Sequence, residues 1–308
     1  MYSKILVPLD RSKTAENVLP LARCLARSLQ IPVELLGVID IVDMASHLAT
    51  DQVSIIHTMI DDASRRFAEY LEGIAKNFPG GTVRCTIQTG SAAEAIINSA
   101  ATDKQTLIAL ATHGRSGLDR WLLGSVAEKV LRGGSNPTLV VRARDDKNPS
   151  WAMATLKRVI VPLDGSELSE RILPYVEELA KDLDLEVTLI RVYGGLLAAG
   201  DGFYNPGQID AFIARLRDES VAYLATKTDD IKRKGLNKVS FAAKEGRDAD
   251  EIIAMAGETS DTLIAMCTHG RSGVQRWALG STTERVVRHS DNPVLVVRAG
   301  LDKRSAGK

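Results

Sequence analysis

Apolar positions in this chain fall into short continuous runs separated by stretches with helical spacing. Ile5–Leu9 is an unbroken apolar run, as in a strand buried on both faces of a parallel sheet. Val18, Leu21, Ala22, Leu25 and Leu29 then recur at helical spacing. Pro20 lies inside that pattern, so the helix either begins close to it or kinks there. Val33–Ile39 reads as a second strand. From about Gln52 to Lys76, the positions Ile55, Ile56, Met59, Ile60, Ala63, Phe67, Tyr70 and Leu71 predict a long helix. Val83–Gln88 alternates as a third strand, Ala92–Ala101 is a short helix, and Leu107–Ala111 is a fourth strand. Ser125–Arg132 is a helix closed by Gly133 and Gly134, and Thr138–Val141 is a fifth strand.

The same plan then repeats, with strands expected at Val159–Leu163, Val187–Val192, Val239–Ala242, Leu263–Cys267 and Val294–Val297. Lys4–Ser12 matches Arg158–Ser166, and residues 107–143 laid over 263–299 without gaps agree at 24 of 37 positions. The offset is 154 residues at the start and 156 at the end, too long for a solenoid unit and right for a duplicated domain. Domains are expected at 1–145 and 155–300, joined by the polar linker Arg144–Trp151, which Pro149 interrupts. Alternating strands and helices predict an α/β class: two repeated doubly wound domains, each a five-stranded parallel sheet in the order 3-2-1-4-5, flanked by helices. In that order the direction reverses between strands one and four, and ligands bind outside the carboxyl ends there. Asp10 and Ala111–Gly114 sit at those ends. One stretch departs from the repeat: 194–207 is glycine-rich, with Gly194, Gly195, Gly200 and Gly202, and reads as a mobile loop or lid.

Composition narrows the function. Hydrophobic residues are 44% and charged residues 25%, ordinary for a soluble globular protein. Lys plus Arg and Asp plus Glu are 39 each, so no net field favours nucleic acid or an anionic membrane. No apolar run approaches a membrane span, the first residues enter a strand directly, and a cytoplasmic protein without a signal peptide is expected. Cys24, Cys85 and Cys267 are scattered, giving neither a disulfide framework nor a zinc site. His47, His57 and His289 show no metal-ligand spacing.

The most repeated stretch carries the candidate chemistry. Ala111–Ser125 returns almost unchanged as Cys267–Ser281, each copy running from a strand through a glycine-bearing loop to a helix start. That arrangement holds phosphate on backbone N–H groups. A carboxylate at the neighbouring strand end, Asp10 or Asp164, suits a sugar attached to that phosphate. Blander roles exist for the same residues. Ser125 with Glu128, and Ser281 with Glu284, have capping-box spacing. Asp10 could close its own loop onto Ser12, and Trp121 and Trp277 suit packing. His113 and His269 have no partner at triad-like spacing.

On these residues the chain resembles tandem universal stress proteins over nearly its whole length. The family's nucleotide binders carry Gly-x2-Gly-x9-Gly-Ser/Thr. Gly114, Gly124 and Ser125 match in the first copy, and Gly270, Gly280 and Ser281 in the second, while Ala111 and Cys267 replace the first glycine. The resemblance implies binding of ATP or AMP, with or without Mg2+. It implies ribose contacts from Asp10 and Asp164, and adenine packing by Pro8 and Pro162. It implies adenine-edge contacts from the backbones of Val38 and Val192. Phosphate contacts would come from Gly114, Arg115, Gly124, Ser125 and Val126, and from Gly270, Arg271, Gly280, Ser281 and Thr282, with His113 and His269 in the same loops.

No Gly-x4-Gly-Lys-Ser/Thr loop, Gly-x-Gly-x-x-Gly fingerprint or Gly-x-Ser-x-Gly elbow occurs. Asp119 has Gln275 as its counterpart, and without a positioned base fast hydrolysis is not expected. The function read here is a stress-response nucleotide-binding regulator with one site per domain. The alternatives are an interaction protein with degenerate sites and a slow ATPase. The final strands, Pro137–Ala143 and Pro293–Ala299, are expected to pair the domains, with a homodimer of the whole chain as a further step. The first site is expected to bind more tightly. That expectation rests on the Cys267 sulfur, on Gly165 standing where the first copy has Arg11, and on the loose 194–207 segment.

Overall fold

In the computed structural model, the described residues are 2–40, 53–78, 82–112, 123–142, 155–194, 206–268 and 279–298. The first half runs β1 (Lys4–Leu9), α1 (Leu19–Leu29), β2 (Val33–Ile39), α2 (Val53–Ala75), β3 (Val83–Thr89), α3 (Ala92–Ala101), β4 (Thr106–Ala111), α4 (Ser125–Gly133) and β5 (Thr138–Val141). The second half runs β6 (Arg158–Pro162), α5 (Leu173–Leu183), β7 (Glu186–Gly194), α6 (Pro206–Arg233), β8 (Val239–Gly246), α7 (Asp248–Ala256), β9 (Thr262–Cys267), α8 (Ser281–His289) and β10 (Val294–Val297). A 3-10 turn, Ala15–Val18, precedes α1, and a single helical turn, Glu167–Glu170, precedes α5.

Pro20 and Pro174 resolve as helix starters. Each stands in the first turn of its helix, where its missing N–H costs no bond. The inner strands read as continuous apolar runs because both sheet faces are covered there, whereas β3 and β8 at the ends of the sheet are largely exposed or part-exposed. Ile5, Val7 and Leu9 join the layer under α1 and α2, while Leu6 joins the layer under α3 and α4. Each such Leu or Ile contributes about 1.5–3 kcal/mol by leaving water.

Within each half the strands are parallel, in the order 3-2-1-4-5. The two sets continue into one ten-stranded sheet, β3-β2-β1-β4-β5-β10-β9-β6-β7-β8. The join is antiparallel, with Val294 opposite Val140, Leu295 opposite Leu139 and Val296 opposite Thr138. All four residues of each joining strand are buried. Leu25 and Leu179, Leu107 and Leu263, and Leu139 and Leu295 are equivalent pairs in the repeat, and all six line one small apolar gap at the join.

Candidate functional site

The site is built where the strand order reverses, between β1 and β4 and between β6 and β9. Lys4 lies level with Thr106 and Leu6 with Ile108, so the same register carried forward sets Asp10 level with Thr112. Arg158 lies level with Thr262, which sets Asp164 level with Thr268. The carbonyl of Thr112 accepts the Gly124 N–H at 2.6 Å, and that of Thr268 accepts the Gly280 N–H at 2.7 Å. Each bond fixes the helix start beside the strand end. Residues 113–122 and 269–278 lie outside the described residues. The roles expected of His113, Gly114, Arg115, Trp121, His269, Gly270, Arg271 and Trp277 therefore lie outside them too.

Both aspartates close a tight turn. Asp10 Oδ1 accepts the Ser12 N–H at 2.9 Å and the Ser12 hydroxyl at 2.5 Å. Asp164 Oδ1 accepts the same pair from Ser166 at 2.9 and 2.6 Å. Ser12 Oγ in turn accepts the Ala15 N–H, and Ser166 Oγ the Ser169 N–H. The loop-closing role is therefore real, and these two bonds use part of a carboxylate's four or so acceptor positions. The turn needs a left-handed residue in its middle. Gly165 takes φ 88° at no steric cost, while Arg11 takes φ 67° against it.

The helix starts correct one expectation. Gly124 and Gly280 are the N-caps of α4 and α8, Ser125 and Ser281 are the first helical residues, and neither cap carries a side-chain bond. The capping-box spacing is thus not used as a box. The Gly124 and Gly280 amides are already spent on the strand carbonyls. An anion there would be held by the amides that follow, those of Ser125 and Val126 or Ser281 and Thr282, which the helix itself leaves unpaired. Ser125 and Ser281 are exposed, and Val126 is 38% exposed despite being apolar. Thr283, two residues after Ser281, is buried and donates to the Cys267 carbonyl at 2.9 Å.

Pro8 and Val38 lie on the sheet face covered by α3 and α4, as Pro162 and Val192 do on the face under α7 and α8, and all four are part-exposed. Ala111 and Cys267 end β4 and β9. The Cys267 side chain is 6% exposed and packs in the core on the α5–α6 side. Burial pushes its thiol up to about 12, against the nearby Arg171 guanidinium. The sulfur is taken up by the core, and the loop it was expected to crowd, 269–278, lies outside the described residues.

Each domain also places an arginine over an aromatic ring. Arg11 stacks over the Phe67 ring at 5.1 Å, and Arg191 stacks over the Tyr223 ring at 5.1 Å. Tyr70 donates to Glu16 at 3.1 Å and Tyr223 to Glu170 at 2.8 Å, so these two tyrosines are equivalent. Burial, then the paired glutamate, raises both phenols; Arg11 with Asp10, and Arg191 with Asp164, act on them as well. The second domain therefore has its own arginine over the ring of its glutamate-paired tyrosine, delivered from β7 rather than from the turn. The repeat reads this as a size exchange. Gly37 and Phe67 in one domain stand where Arg191 and Ser220 stand in the other.

Sequence reasoning did not single out Thr112 and Thr268, whose carbonyls anchor the helix starts. Their identity in both copies was the available signal.

A model of the universal stress protein family matches residues 1–142 and again 155–298. A universal stress protein of Methanocaldococcus jannaschii is 31% identical over 142 residues, covering 46% of this chain and 82% of that protein. One from Mycolicibacterium smegmatis is 23% identical over 299 residues, covering 96% of each chain. The crystal structure of a universal stress protein from Archaeoglobus fulgidus superposes with a TM-score of 0.73 at 25% identity, over 97% of this chain and 100% of that one.

Proposed function

The chain belongs to the universal stress protein family, with two such domains in one polypeptide, and on that premise we propose that each domain binds one adenine nucleotide. The ligand is ATP or AMP, and the protein is a regulator that changes partner or shape with its occupancy. The domains are taken as 1–145 and 155–300, with the β5–β10 pairing as their working interface. One observation carries the reading: a fixed Asp–Ser turn and an exposed helix start sit side by side at the strand reversal, twice in the chain.

The donor set fits the ligand's chemistry. Asp10 and Asp164 offer carboxylate acceptors to ribose hydroxyls. The amides of Ser125 and Val126, and of Ser281 and Thr282, offer donors and the positive helix end to phosphate. Pro8 with Val38, and Pro162 with Val192, offer apolar surface and backbone groups to adenine. Helix-start contacts contribute about 0.3–1 kcal/mol each, up to about 2 when partly buried, toward the roughly −8 kcal/mol of micromolar binding. Mg2+, where present, would travel with the triphosphate. Mass spectrometry of the small molecules released from freshly purified protein tests the reading. Adenine nucleotide is expected, and its absence together with no uptake of added ATP or AMP would reject it in favour of an interaction protein with degenerate sites.

A further inference from the structure

The helices that present the two anion seats are each held at their far end by the other domain. Arg298, directly after β10, donates through Nη1 to the carbonyls of Gly133 at 3.4 Å and Gly134 at 3.2 Å, where α4 ends. Arg142, directly after β5, donates to the carbonyl of His289, the last residue of α8, at 3.4 Å, and pairs with Asp291 at 2.8 Å. The two arginines are equivalent in the repeat, and each crosses the seam between β5 and β10. A further tie runs between the helices themselves. Arg132, in the last turn of α4, lies 3.6 Å from Glu284, in the first turn of α8. Glu284 also holds Arg288 at 2.7 Å, as Glu128 holds Arg132 at 2.9 Å.

The last carbonyls of a helix have no intrahelical partner and form its negative end. A guanidinium placed there satisfies them and offsets that charge. Helices α4 and α8 have nine residues each, too short to be stable alone. Whatever holds their final turn therefore also sets where their first amides point.

We propose that Arg298 is a positioning residue for the anion seat of the first domain and Arg142 for that of the second. Each seat is then completed by the domain that does not contain it, and occupancy of one can be sensed across the seam. The ligand half of this inference rests on the nucleotide reading above; the helix half rests on the arginine contacts alone.

Hydrogen exchange on the full chain separates the two halves. Wild type, Arg298→Met, Arg142→Met and the charge-keeping Arg298→Lys are compared with and without ATP. In Arg298→Met, amides of 125–133 should exchange roughly two- to fivefold faster, the span expected of a lost C-terminal cation, while 281–289 stays at the wild-type rate. ATP protection at Ser125 and Val126 should fall in step. Arg142→Met should give the mirror result, and Arg298→Lys an intermediate one. Faster exchange in both helices equally, in the helix of the arginine's own domain, or in neither, overturns the proposal. If wild type gains no protection from ATP, the nucleotide reading fails by itself. The crosswise pattern without ligand still decides whether the arginines hold the helices.

Discussion

Asp10 and Asp164 each do two jobs in this account, closing a turn through Oδ1 and presenting a carboxylate to ribose. Asp10→Asn separates them, because an amide oxygen still accepts the Ser12 N–H while the charge is lost. Hydrogen bonds to a charged group are worth about 1.5–3 kcal/mol, so affinity at the first site should fall roughly ten- to a hundredfold with the fold intact. Calorimetry and circular dichroism check the two parts. Gly124 has a backbone at φ −60° and ψ 147°, which any residue adopts, so its value lies in the space it leaves. Gly124→Val should fold normally and lose at least tenfold in ATP affinity at its own domain; unchanged affinity would count against the seat.

Cys267 tests the electrostatics. Its folded pKa, about 12, lies above the 9.0 of an ordinary thiol. A group raised on folding contributes its full stability below pH 9 and loses it as pH rises toward 12. Urea midpoints should therefore drop more steeply between pH 9 and 11 in the native protein than in Cys267→Ala. Iodoacetamide at pH 8 should label Cys267 only after unfolding. Of the three grounds for a tighter first site, the Cys267 sulfur lies in the core and Arg191 gives the second domain a cation over Tyr223. The third, the 194–207 segment, falls mostly on residues outside those described.

At the scale of elements, the strands and helices were legible in the chain because each layer imposes its own period. Ile5–Leu9 reads as a buried strand since both its faces are covered, and the long helix expected from Gln52 runs from Val53. What the chain could not reveal depends on contacts far apart in it. The capping-box spacing of Ser125 and Glu128 is present, yet the helix begins one residue earlier than that box requires, with Gly124 as its N-cap, tied to Thr112. The exchange of Gly37 and Phe67 for Arg191 and Ser220 shows only once β2 and α2 are laid together. A Cβ on Gly37 would come within 2.5 Å of the Phe67 ring. Gly37→Ala should therefore destabilise the first domain by about 1–3 kcal/mol, and Phe67→Leu in the same chain should restore part of it. Thermal melts of the two variants make the comparison; a neutral Gly37→Ala would mean the ring shifts freely.

The described strands form one sheet with two strand reversals, and the two candidate sites lie on either side of the β5–β10 seam. No helix among the described residues is long and apolar enough to cross a membrane. The seam residues are buried and, Thr138 apart, apolar, as they would be inside any sheet, so nothing in Thr138–Val141 taken alone distinguishes an edge from a joined strand. The duplication makes the central claim countable. Titration calorimetry of the full chain with ATP should give a stoichiometry near two per chain, falling to one in Asp10→Ala and in Asp164→Ala, and to none when both are replaced. A stoichiometry of zero in the unaltered protein, or of two in the folded double variant, would contradict it.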